Sequence, residues 1–554
     1  MSFGNADISS YAADLRNLSN MNRTVYAYDK LERVVSETRY VLDPYTQTWK
    51  TKVKYTNEYD ALGNVLSVTD ACGNILSYEY DILGNLIKYI EPDKKDIDNA
   101  FTVKYTYDAL GRKTKEENSS KQYYLYTYDN NGNLTYFKTQ SGTSSAVTVS
   151  AYTYTNGARI HTQKDGKNNI TTLVYDSNMR LSRQYGMGGT SDPSKTDYYK
   201  YDVKGNLSEH QNKNGDVIGY EYDSFDRLVK KTSPDGDVVY TYDKNGNILT
   251  VADGSGTVTY VYDSMGRILS KGHSLTGTVT YSYDNYNGVP YGLVRETTTT
   301  PDGSTVEKWY DSEDKIYRVI DGENITKYDY YDNGKLKSVT RPDGAVSVYT
   351  YDGEGNLLTL VTTSESGSVL DSFSYTYSDS VSCAKNIASK TETLSGELVG
   401  TTSYEYSILG QLTKTTYPNG KTTTYTYDKA GNRVSKKSTV EGQPSSVTYT
   451  YDNQNRLTNT VADNTVRTFY TYDNNGNLIL RYSRLSGTAP AGEKEVSVLG
   501  ADGGTDDASA YEYDSYNRLV RISQGDTEIE NTYDGESRNI YRKTNGKAKL
   551  FVYD

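Results

Sequence analysis

The sequence predicts an all-β protein: tandem hairpins forming one long curled sheet, a spiral or cocoon-like hollow shell that need not be complete. Three observations carry this prediction. The phrase Tyr-x-Tyr-Asp, two variable residues, Gly-Asn or Gly-Arg (Asp226-Arg227 in one copy), then an aliphatic residue recurs along the chain, with Tyr222, Tyr242 and Tyr262 as second tyrosines of successive copies. A return after about 20 residues marks a repeat architecture. Turn residues also fall midway between copies, at Pro234-Asp235-Gly236, Pro301-Asp302-Gly303, Pro342-Asp343-Gly344 and Pro418-Asn419-Gly420. Finally, the chain holds 59 tyrosines, large β-favouring rings that can replace a sparse aliphatic core and still border water.

Each unit reads as strand, turn, strand, turn. Tyr240 and Tyr242 lie two apart, so on a strand they face one side. Asp243-Lys244-Asn245-Gly246-Asn247 supplies turn chemistry, because Asp bonds backbone two residues on and Gly and Asn tolerate positive φ. Ile248, Leu249 and Val251 reopen a strand. An isolated hairpin is marginal in water, so stability must come from stacked neighbours. About twenty units give roughly forty strands, a ribbon near 190 Å long at about 4.8 Å per strand, which is expected to curl.

In order, residues 1–22 form an irregular leader with a short helix expected at Tyr11 to Leu18, and repeats occupy 23–554. Units begin at Tyr26-Ala27-Tyr28-Asp29 and recur at Tyr59-Asp60 and Tyr80-Asp81. A charged insertion at 92–100 precedes Tyr105-Thr106-Tyr107-Asp108. Tyr126 to Leu134 is another clean unit, and a loop is expected at about 185–197. Tyr201 to Tyr283 is the most regular region. The phrase weakens at Tyr310, returns at Tyr351 to Leu357, takes Ser for Asp at Ser378 and Ser407, and resumes at Tyr427, Tyr451 and Tyr472. A second loop is expected at about 487–509.

Charge and motifs exclude several functions. The net charge is −12, from 60 basic and 72 acidic residues without a basic stripe, which argues against nucleic acid. Cys72 and Cys383 make no disulfide framework or metal spacing. His161, His210 and His273 share no spacing and read as strand or turn residues. Asp129-Asn130-Asn131-Gly132-Asn133 and Asp473-Asn474-Asn475-Gly476-Asn477 resemble calcium loops but lack the glutamate at position twelve, so they read as tight turns. The expectation is a non-enzyme with no catalytic, cofactor-binding or metal-binding residue. No signal peptide opens the chain, and no apolar run is long enough for a membrane helix. Because Phe551-Val552-Tyr553-Asp554 stops partway through a unit, the chain is expected to be a piece of a longer protein.

The phrase resembles the YD-repeat or RHS family. Tyr78-Glu79-Tyr80-Asp81-Ile82-Leu83-Gly84-Asn85-Leu86 and Tyr425-Thr426-Tyr427-Asp428-Lys429-Ala430-Gly431-Asn432-Arg433 match it closely, and the resemblance runs over residues 26–554. The family includes polymorphic toxins, wall-associated proteins, shell components of insecticidal toxin complexes, and teneurins. The resemblance implies a sheet spiralling into a hollow shell, which in the toxins encloses a C-terminal effector and in teneurins serves adhesion. Toxin members follow their repeats with an RHS core bearing an autoproteolytic aspartate, then a toxin domain. Neither is found here, and Asp43-Pro44 and Asp192-Pro193 stand outside that context, so self-cleavage is carried onto no residue. The expected function is a structural shell segment of a secreted or cell-surface protein, enclosing or scaffolding an effector encoded downstream. The alternative is a cell-surface adhesion module recognising carbohydrate or a partner protein.

Overall fold

The computed structural model describes residues 23–91, 102–186, 196–284, 293–378, 386–485 and 508–553. The expected leader helix, the 92–100 insertion, Cys383, Asp192-Pro193 and most of the two expected loops lie outside the described residues. All 45 strands of the described residues belong to one sheet, with no helix among them. Hairpin follows hairpin with antiparallel pairing.

The unit around Tyr242 shows why the sequence folds this way. Strand β19 (Val238–Tyr242) pairs with β20 (Ile248–Asp253), Thr241 opposite Thr250 and Tyr242 opposite Ile248. The shift between those pairs is a β-bulge that leaves Leu249 as the extra residue. Side chains alternate as the period of two requires: Val239 and Thr241 are exposed, while Val238 is buried and Tyr240 and Tyr242 are half-buried. The hairpin closes by Asp243 N donating to Asn247 O at 2.9 Å and Gly246 N to Asp243 O at 3.2 Å. This geometry forces the fourth turn residue into the left-handed region, and Gly246 has φ +93°. Where glycine is absent, Asp226, Asn455 and Asn517 take φ near +60°, a conformation short polar side chains tolerate best.

The chain packs as two compact units, one of residues 1–123 and 281–403, the other of 124–280 and 404–554. Each unit therefore holds an earlier and a later run of hairpins. In the first unit Leu42, Leu293, Trp309 and Tyr317 form a buried cluster flanked by Trp49 and Ile320. In the second, Val238, Val251, Val258 and Tyr260 are covered by Tyr240, Ile248, Tyr262 and Ile268. Tyrosine rings thus supply much of the packing layer, as the composition predicts.

Candidate functional site

The Tyr-Asp phrase is a set of hydrogen bonds. Asp243 Oδ1 accepts from the main-chain N of Asn245 and Asn247 at 2.9 and 2.8 Å, and Oδ2 accepts from Asn247 Nδ2 at 2.8 Å. These donors outweigh partial desolvation and hold the carboxyl below its ordinary range, with the Asn247 side chain the largest influence. The second tyrosine reaches back one hairpin: Tyr242 Oη donates to Leu228 O at 2.7 Å, across to the start of β18 (Leu228–Thr232). The bond recurs from Tyr201 to Leu181 O, Tyr262 to Ile248 O, Tyr330 to Ile316 O, Tyr427 to Leu412 O and Tyr533 to Leu519 O, at 2.7–2.9 Å. The repeated hydroxyl is a tie between units.

Arginine at the end of the phrase adds a forward tie. Arg227 Nε holds Asp223 at 2.7 Å, its Nη1 donates to Asp243 O at 3.1 Å, and its guanidinium lies 4.7 Å from the Tyr242 ring centroid. Arg33, Arg456 and Arg518 repeat the arrangement toward Asp60, Asp473 and Asp534. The sequence reading treats Asn and Arg there as equivalent. In the fold these arginines reach a main-chain carbonyl of the next turn, whereas Asn206, Asn432 and Asn477 reach a side chain there, Asp226, Asn455 and Asn517 at 3.0, 2.8 and 2.7 Å.

The two edges of the ribbon also meet inside each unit, the Tyr-Asp turns of the later run docking on the opposite turns of the earlier one. In the first unit Leu42 N donates to Ser312 Oγ at 3.1 Å, across 270 residues of chain, and Asn333 Nδ2 donates to Asp70 Oδ2 at 3.3 Å. Glu313, its side chain 4% exposed, lies among Lys54, Lys52, Lys315 and Arg39 at 2.5, 3.3, 3.6 and 3.9 Å. Burial pushes its carboxyl up, but the ammonium groups prevail and hold it at about 2. Beside it a polar cavity of about 220 Å³ is lined by Tyr45, Lys50, Asp311, Tyr317 and Asp329, among others. In the second unit Asp165 accepts from Asn455 at 3.0 Å, Asp235 from Ser515 N at 2.6 Å, and Asn214 exchanges bonds with Asp473, Asn474 and Asn475 at 2.9–3.1 Å. A Cβ on Gly166 would stand 1.8 Å from Lys429 O, so this contact admits only glycine.

The sequence-predicted residues are not brought together. His161 is exposed, with Nδ1 3.1 Å from Leu173 O. His210 stacks on Tyr199 at 4.8 Å and faces Asp197 at 3.3 Å. His273 is buried, its Nδ1 accepting from Leu275 N at 3.1 Å. Cys72 sits in the turn capped by Asp70. The calcium-like loops are turns: Asp129 and Asp473 spend both carboxylate oxygens on the turn asparagines Asn133 and Asn477. Among the described residues no group of three or more His, Cys, Asp or Glu could hold a metal ion. Sequence reasoning missed Gly166, Asn214 and Glu313, whose roles depend on partners far along the chain.

These repeats match known families. The Teneurin YD-shell family matches residues 383–554, and the RHS Repeat family matches residues 59–95, 201–238, 242–274 and 330–369. The chain is an RHS/YD-repeat protein. Its fold is similar to that of the TcdB2-TccC3-Cdc42 crystal structure, with TM-score 0.59 and 14% identity over 94% of this chain and 31% of that one. It is also similar to the Photorhabdus luminescens Tc holotoxin pore, with TM-score 0.57 and 13% identity over 94% of this chain and 32% of that one. The RHS/YD chain thus spans about a third of the length of these structures. No curated protein matches. Among the described residues no helix is long and apolar enough to cross a membrane.

Proposed function

We propose that this chain is a wall segment of a shell in a secreted or surface protein, enclosing or scaffolding an effector domain encoded downstream, with no catalysis of its own. The observation that carries the reading is the locking of turn rows within each unit. A wall of single-layer sheet must seal the edges of successive runs against solvent, and hydrogen bonds spanning 259 to 303 residues do so in the second unit. The fold shared with TcdB2-TccC3 structures supports the same reading. Phrase tyrosines such as Tyr242, Tyr262 and Tyr427 are half-buried and give their hydroxyls to main-chain carbonyls, which weights the proposal toward structure over binding. Sequencing the reading frame past the Asp554 codon tests it. An RHS core followed by an unrelated domain of ordinary size, about 100–200 residues, is the expected result; a stop codon directly after Asp554 would remove the cargo.

A further inference from the structure

One Tyr-Asp turn of the first unit pairs its charges differently from its arginine-bearing counterparts. Where the phrase ends in arginine, the second aspartate oxygen accepts from that guanidinium: Asp29 from Arg33, Asp176 from Arg180 and Asp223 from Arg227, at 2.7–2.8 Å. The same guanidinium lies 4.6–4.7 Å from the ring centroid of the next phrase's tyrosine, Tyr59, Tyr201 or Tyr242. A carboxylate beside a ring face is thus how this fold holds a guanidinium. The Asp311 turn ends in Lys315 instead. Asp311 Oδ1 still caps the turn, accepting from Glu313 N at 2.8 Å and Lys315 N at 2.9 Å, but Oδ2 has no hydrogen-bond partner among the described residues. Lys315 Nζ turns to Glu313 at 3.6 Å and lies 5.4 Å from the Tyr330 centroid. Burial pushes the Asp311 carboxyl up, opposite to the direction taken by Asp29, Asp176 and Asp223.

Asp311 lines the polar cavity of about 220 Å³ beside Glu313, a volume equal to about seven waters. One wall comes from the long hairpin of β2 (Val34–Leu42) and β3 (Trp49–Tyr59), 9 and 11 residues in length. Tyr45 pins its turn in place, the hydroxyl donating to Tyr317 O at 2.9 Å and lying 2.5 Å from Tyr328 O. Five carboxylates and three lysines line the cavity, so its lining is net acidic. Four of the carboxylates have a cation: Asp43 meets Lys50 at 2.5 Å, Asp329 meets Lys337 at 2.9 Å, Asp332 meets Lys52 at 3.7 Å, and Glu313 meets Lys54 at 2.5 Å. Asp311 is the fifth. Tyr330 lines the same space, and Asp332, its side chain 61% exposed, brings the mouth to the surface. A desolvated carboxylate without a cation is costly, and a cation entering from solvent offsets that cost.

We propose that the cavity at Asp311 binds a guanidinium group, carried by a small molecule or by an arginine side chain, with Asp311 Oδ2 as its acceptor and Tyr330 as a flanking ring. Guanidinium is favoured over ammonium because it is planar, weakly hydrated and presents its donors as a fork, the shape the fold already holds in its arginine-ended turns. Isothermal titration calorimetry of the full chain with butylguanidine, butylamine and the peptide acetyl-Gly-Arg-Gly-amide tests this. Butylguanidine should bind at one site, about ten-fold tighter than butylamine or more. Asp311→Asn should weaken it by about ten-fold or more with circular dichroism unchanged. The asparagine keeps the capping oxygen, as Asn212 does in accepting from Asp216 N at 3.0 Å. Lys315→Arg should weaken binding as much, because it supplies Asp311 with a guanidinium from the chain itself. The peptide identifies the source: binding equal to that of butylguanidine assigns the site to an arginine side chain, and binding of butylguanidine without the peptide assigns it to a small molecule. Butylguanidine that fails to saturate, that binds no tighter than butylamine, or that binds both variants as it binds wild type overturns the proposal.

Discussion

Two residues of the Tyr-Asp unit set its stability. Gly246 sits at φ +93° with open space where a Cβ would go, so its requirement is conformational and not steric. Gly246→Val should cost about 1–2 kcal/mol through left-handed strain, read as a lowered urea midpoint and faster local hydrogen exchange in β19 and β20. Tyr242 contributes a ring face to the Arg227 guanidinium and a hydroxyl to Leu228 O. Tyr242→Phe keeps the ring and should cost about 1 kcal/mol, with unchanged sheet content by circular dichroism. The turn was legible in the sequence because Asp, Gly and Asn have local conformational preferences. The hydroxyl bond was not, because it depends on where a bulge places the carbonyl of the preceding hairpin.

At the scale of the element, rows of like groups titrate together. Phrase aspartates such as Asp60, Asp81, Asp129 and Asp243 are held below their ordinary range by the turn asparagine or by main-chain donors. A depressed carboxyl contributes stability that is present above the unfolded pKa near 4 and lost as pH falls through the folded value. The tyrosines shift the other way: burial and neighbouring carboxylates push Tyr45 and Tyr199 up to about 12. A raised phenol contributes stability that is present below about pH 10 and lost as pH rises through the folded value. The melting temperature should therefore hold a plateau between about pH 4 and pH 10 and fall on both sides. A decline beginning at neutral pH would contradict the assignment. The seam is an element of its own. Gly166→Ala, facing Lys429 O, should loosen the second unit and speed hydrogen exchange at Asn455 and Asp428 while leaving the hairpins paired. Hairpin order and strand direction were legible as local periodicity. The seam was not, since no local pattern says which turns meet across 259 to 303 residues.

At the scale of the whole molecule, the 45 strands of the described residues form one sheet whose edges lock turn to turn within each unit, and the solved structures of similar fold are about three times as long. The fold class and the single sheet were legible because one unit is written many times over. The proposed cargo was not legible, because residues that specify neighbouring hairpins carry no chemistry of anything they would enclose. Limited proteolysis of the full-length gene product tests the central claim most directly. Polypeptide following Asp554 should resist cleavage while the shell is folded and become cleavable in Gly166→Ala under conditions where hairpins persist. Downstream polypeptide cut as fast in the wild-type protein as in the unfolded one would show that these repeats enclose nothing.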